Sequence, residues 1–206
     1  EQIVDEHAKA KVDCIVHCLY VMPNGAMPPG LKAVHHYPAW RRAGYSDLSS
    51  FEDAGYDLVQ TLLERSHKNG MLFLAGLRMN DRHGEAAHGK VYQAHPEWHA
   101  EGIPRGFDYA HQEVRDLMAT FVGDVVDHYD VDGIEFDWMR WIYMFSAGKE
   151  EENAHLLTEF HRRTRKLLDD AGRKRGRRLL LGVRVPDILD ECEQYGFEVE
   201  TWIKEG

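Results

Sequence analysis

Positive charge is in short supply along this chain. Lys and Arg number 25 against 35 Asp and Glu, leaving a formal net charge of −10 over 206 residues. Phosphate backbones need a basic face, so no nucleic acid is expected as a partner. The one basic run, Arg173-Lys174-Arg175-Gly176-Arg177-Arg178, falls between a helical pattern and a strand and reads as a solvated loop. Cysteine is scarce as well, with three in all. Cys14 and Cys18 stand four apart on one strand, too far separated to bridge, and Cys192 falls on a helix. With neither a disulfide framework nor zinc spacing, all three read as small buried apolar residues. No apolar run reaches membrane-spanning length, so no membrane partner is expected. A Gly-rich phosphate loop is missing after every strand, which weighs against a doubly wound dinucleotide-binding sheet. The first residue is Glu rather than Met, so the lack of a signal peptide excludes nothing.

What is there is an alternation. Val12–Met22, Met71–Asn80, Val131–Trp138 and Leu179–Val185 read as buried strands. Between them, Phe51–Asn69, Glu113–Tyr129 and Glu151–Ala171 carry apolar residues at three- and four-residue spacing, and a shorter helix is expected over Asp187–Tyr195. Ser49-Ser50-Phe51-Glu52 has a capping-box pattern, Asp187 reads as an N-cap, and Gly70, Gly172 and Gly196 read as helix stops. A helix leads into the first strand and another follows Val199, so both ends are cut in mid-pattern. Strand and helix in turn imply crossovers and a parallel sheet. The expected fold class is therefore α/β, a (β/α)8 TIM barrel of which residues 1–206 form one domain covering about four to five β/α units. Helix-to-strand connections are short. The strand-to-helix segments Pro23–Ser50, Asp81–Ala110 and Met139–Glu150 are long, and in a barrel these gather at the C-terminal face where active sites lie.

That face receives one unusual strand, Tyr129-Asp130-Val131-Asp132-Gly133-Ile134-Glu135-Phe136-Asp137-Trp138. Side chains alternate along a strand, so Glu135 and Asp137 point the same way, with Cα atoms roughly 6.5–7 Å apart. Two acids on a buried strand are costly unless they are paired, hydrogen-bonded or used. Asp137, at the strand end, reads as a catalytic nucleophile or base, against the plainer role of fixing an arginine or capping a loop. Glu135, one step deeper, reads as a carboxyl kept protonated by its neighbour, against a plain ion pair with an arginine. Arg78 and Arg184 end neighbouring strands, where they either hold the acids or bind substrate. Asn80 and Arg140 are candidate substrate contacts, and Asp81 reads as a loop start. Trp141 is the candidate sugar platform, whereas Trp138 and Trp202 read as packing. His83, His88, His95, His99 and His111 crowd one loop; Pro96 breaks the His95–His99 spacing, and they read as polar surface. His17 reads as a core histidine, against a contact on the floor of the pocket.

Two likenesses bear on this pattern. Asp108-Tyr109-Ala110-His111-Gln112-Glu113-Val114-Arg115 followed by Tyr129–Arg140 resembles the bacterial glycosyl hydrolase-like 10 TIM-barrel proteins. His95-Pro96-Glu97-Trp98, Arg78-Met79-Asn80-Asp81 and Val183-Arg184-Val185-Pro186 extend the agreement. The resemblance implies a barrel, makes Val131–Trp138 its fourth strand, and implies by association carboxylate-based hydrolysis of an oligo- or polysaccharide; from the residues themselves no cofactor and no metal is expected. The same strand is similar to the Asp-Gly-x-Asp-x-Asp-x-Glu signature of family-eighteen chitinases, but Met139 stands where their general acid lies, and no partner acid for Asp137 is evident. A non-catalytic glycan-binding barrel and a metal-dependent isomerase or hydrolase remain the competing expectations.

Overall fold

In the computed structural model the described residues are 2–19, 57–80, 90–103 and 106–205. Helix α1 (Gln2–Lys9) leads into strand β1 (Cys14–Leu19), α2 (Leu58–Lys68) into β2 (Leu72–Arg78). A short α3 (Lys90–Ala94) and a 3-10 turn (Pro96–Trp98) precede α4 (Gln112–His128) and β3 (Gly133–Asp137). Then come α5 (Glu150–Arg175), β4 (Leu180–Arg184), α6 (Leu189–Gln194) and α7 (Val199–Glu205).

All three strand pairings are parallel and each strand lies beside its predecessor, in the order β1-β2-β3-β4. A doubly wound sheet reverses its order to put helices on both faces; this one does not reverse. Its two faces differ accordingly. Phe73, Ala75, Leu77, Ile134 and Phe136 point at the helices and are wholly buried. Each large side chain among them contributes about 1.5–3 kcal/mol by leaving water. The opposite face carries Val16, Leu72 and Leu180, 43%, 42% and 40% exposed. The fold is a (β/α) barrel architecture, seen here as four successive units with the inner wall open to view.

Local chemistry explains the boundaries and corrects several expectations. The Ser49–Glu52 capping pattern lies outside the described residues; Asp57 caps α2, its Oδ1 accepting from Gln60 N at 2.9 Å and its carboxylate from the Tyr129 hydroxyl at 3.0 Å. Helix α5 does not stop at Gly172. It runs one turn further to Gly176, which takes the left-handed conformation at φ 70°. Gly172 is required for another reason, since a Cβ there would fall 2.5 Å from the Arg177 carbonyl oxygen. Asp187 is not the cap of α6, which begins after Ile188 without a side-chain cap. The basic run is not a solvated loop either. Arg175 donates to the carbonyls of Val126, Tyr129 (2.9 Å) and Val131 (3.1 Å), closing the C-terminal end of α4. Arg177 donates to Asp130 Oδ1 at 2.7 Å. Of the three cysteines only Cys192 is buried, Cys14 is half-buried and Cys18 is exposed.

The Asp-Gly that opens β3 is structural. Asp132 Oδ2 accepts from Phe73 N at 2.8 Å and from His67 Nε2 at 2.7 Å, tying β3 to β2 and α2 at the N-terminal end of the sheet. Gly133 has no room for a side chain: a Cβ would lie 2.3 Å from the Leu180 carbonyl oxygen on β4.

Candidate active site

Register places the acids as alternation requires. Gly76, Glu135 and Gly182 form one row across β2, β3 and β4, and Arg78, Asp137 and Arg184 form the next row towards the loop-bearing end. Both acids therefore share the inner face. Ile134, Phe136 and Trp138 turn the other way into the aromatic core, where Tyr109 and Trp138 meet edge to face at 5.5 Å.

Asp137 is 7% exposed and firmly held. Its Oδ1 accepts from the backbone N–H groups of Met139 (3.0 Å) and Arg140 (3.1 Å), and its Oδ2 from Arg184 Nη1 at 3.0 Å. The carboxylate thus caps the first turn of the β3 loop and fixes an arginine at once. Glu135 is half-buried, and no hydrogen bond among the described residues reaches its carboxyl. Burial first, and the neighbouring Asp137 charge second, push that carboxyl above the usual glutamate range; Arg184 pulls weakly the other way. Arg78 stands beside Asp137 on β2, and the Arg140 side chain lies exposed at the start of the loop. Trp141 is half-buried, 5.2 Å from Tyr143, which meets Tyr195 edge-on at 5.5 Å. These rings run along the loops that follow β3 and β4.

Asn80 does not fit the role of a sugar contact. It is wholly buried; its Nδ2 donates to the carbonyls of Phe107 and Tyr143, both at 3.0 Å, and its Oδ1 accepts from Phe107 N at 3.1 Å. It joins the loop after β2 to the loop after β3. Asp108 does the same, Oδ2 accepting from Ser146 N (3.1 Å) and Oγ (2.5 Å) and Oδ1 from Ala110 N (2.8 Å). The Tyr109 hydroxyl donates to Met79 O at 2.6 Å and its N–H to Met144 O at 2.8 Å. The start of the Asp108–Arg115 run is thus a brace that ties the loop after β2 to the loop after β3. No local pattern announces it, because its partners lie about thirty residues away in sequence.

Two of the loop histidines, His95 and His99, are used in stacking. His95 lies on Trp98 at 3.7 Å with its Nδ1 on Glu97, and His99 on Tyr92 at 3.6 Å with its Nε2 on the Tyr92 carbonyl. No group of three or more metal-ligating side chains occurs among the described residues. Asp81, His83 and His88 lie outside them. His17 faces the helix side, 6.1 Å from Phe73, as a core histidine does.

A parallel sheet wound in one direction, with acids and arginines gathered at its C-terminal rim, defines a (β/α)-barrel protein. The chain belongs to the glycosyl hydrolase-like 10 family, whose model matches residues 30–166. It is 31% identical over 112 residues to the glycosyl hydrolase DigH of Escherichia coli K12, and equally to that of Shigella flexneri. Those matches cover 47% of this chain and 25% of the relative, so the matched segment spans about a quarter of the length of these proteins. Among solved structures it is similar to a GH36 alpha-galactosidase, AgaA, from Geobacillus stearothermophilus in complex with 1-deoxygalactonojirimycin. The TM-score there is 0.51 at 15% identity, covering 88% of this chain and 24% of the other, a likeness of fold.

Proposed function

We propose that this chain forms part of the active site of a glycoside hydrolase acting on an oligo- or polysaccharide, with chemistry carried by the carboxylates of β3. The observation that supports this most is the pairing of Asp137 and Glu135 on the inner face at the loop-bearing rim, beside Arg78 and Arg184. Glycosidic bond cleavage needs one carboxyl able to give a proton and a negative charge near the developing oxocarbenium ion. The strand supplies a carboxyl biased towards its protonated form and a second that accepts a hydrogen bond from a guanidinium. Trp141 and Tyr143 offer flat apolar faces of the kind that pack against pyranose rings, and Arg140 an exposed polar contact.

The second reading is a barrel that binds glycans without cleaving them. It is favoured by the engagement of both Asp137 oxygens and by Met139, an apolar residue two positions beyond Asp137. A panel of glycans incubated with the intact protein separates the two. Release of new reducing ends, abolished by the double variant Glu135→Gln/Asp137→Asn, is expected. Calorimetric binding of a glycan that is never turned over would replace hydrolysis with the binding reading.

A further inference from the structure

The two acids of β3 sit in contrasting surroundings, and the contrast reverses the order in which the strand alone ranks them. Asp137 has three donors on its two oxygens, two of them backbone N–H groups that cannot turn away. Glu135 has none among the described residues, and its neighbours in register on both sides are glycines, Gly76 on β2 and Gly182 on β4. Rows of bulky branched side chains ordinarily fill the inside of such a barrel. Here the row is emptied on either side of one carboxyl. An alanine methyl at 182 would touch Glu135 Cβ and Cγ at 3.7 Å, so the space removed by that glycine lies directly against the Glu135 side chain. At 76 a methyl would meet Val16 Cγ1 at 3.0 Å, so on that flank the β1 side chain already leans over the glycine.

We infer that Glu135 is the proton-transferring catalytic residue of this site, that Gly182 keeps open the space in which the reacting oxygen meets it, and that Asp137 is a positioning residue. The assignment rests on the hydrolase reading above and deepens it. Glu135 passes its proton to the glycosidic oxygen, which leaves with the electron pair of the broken C–O bond. Water then adds to the anomeric carbon and returns a proton to the Glu135 carboxylate. Asp137, anchored on the loop and on Arg184, sets its carboxyl beside Glu135 and opposes the ionisation of that residue. Among the described residues, the charged and titratable groups near Glu135 are Asp137 on its own strand, Arg184 on β4 and Cys14 on β1, with Arg78 on β2 and Cys18 on β1 in the adjoining rows and positions of the same face.

The test compares pH–rate profiles of the intact wild type and three variants on a glycan that the wild type cleaves. Glu135→Gln is expected to lower kcat on the order of 10²–10⁴-fold and to remove the fall in rate at high pH. Asp137→Asn is expected to keep that limb but move it to lower pH, because the like charge that raises Glu135 is gone. Gly182→Ala, which makes only ordinary contacts, is expected to leave the melting temperature unchanged while lowering kcat about tenfold or more at similar KM. If Glu135→Gln fails to fold, Glu135→Asp replaces it, with reduced kcat and the limb retained. Wild-type kcat in either Glu135 variant or in Gly182→Ala, or an unmoved limb in Asp137→Asn, overturns the assignment while the hydrolase reading stands. A wild type that cleaves no glycan overturns both.

Discussion

Arg184 reaches across from β4 to Asp137 on β3, Nη1 to Oδ2 at 3.0 Å, and so ties the ends of two adjacent strands at the rim of the sheet. The arginine side chain is 59% exposed and the carboxylate 10%, so water reaches one partner and hardly the other. A pair of this kind contributes little to stability, about 0–1 kcal/mol, but it fixes where the charge sits. Arg184→Ala is accordingly expected to change the melting temperature by no more than a few degrees. Its effect falls on the pH profile: losing the cation raises Glu135 further, moving the alkaline limb upward, opposite to Asp137→Asn. A downward or absent shift would show that the arginine does not act on this carboxyl.

Asn80 carries three hydrogen bonds between two loops while wholly buried. Asn80→Ala leaves the Phe107 N–H and two carbonyls without their partner, a loss of about 1–3 kcal/mol. Hydrogen exchange should rise in 106–110 and 143–147 before the sheet is affected. Unchanged protection there would remove Asn80 from the brace.

Gly133 is set by backbone proximity rather than flexibility. Gly133→Ala drives a methyl into the Leu180 carbonyl and must part β3 from β4. The protein is expected to lose folded yield outright, whereas Gly182→Ala, with contacts no shorter than 3.7 Å, should purify normally. Equal behaviour of the two variants in a thermal melt would refute the steric account.

His161 gives the acid limit of stability. It is buried on α5, stacked 4.0 Å from Trp202 and near Trp138 at 5.7 Å, and its Nε2 has no hydrogen-bond partner. Burial brings its pKa down to about 3. The unfolded chain binds this proton near pH 6.5, so stability is complete above that value and declines as the pH falls towards 3. The slope reaches at most ~1.4 kcal/mol per pH unit. His161→Phe keeps a flat ring and removes the titration, and denaturant midpoints for it should flatten between pH 6 and pH 4. An unaltered slope would place the acid sensitivity elsewhere.

The strands, the long helices and the shared face of Glu135 and Asp137 are legible in the sequence because they depend on local periodicity. The alternation of Gly133, Glu135 and Asp137 against Ile134, Phe136 and Trp138 is a property of any extended chain, and the β/α order of successive units follows from element succession. Helix ends were legible only where their cause is local, as at Gly70 and Gly196, and misread where it is not, as at Gly172, whose requirement comes from the Arg177 carbonyl across a turn. Tertiary structure alone decided what each polar group is for. It spent Asn80 and Asp108 on the loop brace, put Arg175 on the carbonyls at the end of α4, and gave Asp137 three donors while leaving Glu135 between two glycines. Hydrogen bonds and vacant space join residues thirty to sixty positions apart, and no periodicity in the chain encodes which of them will meet.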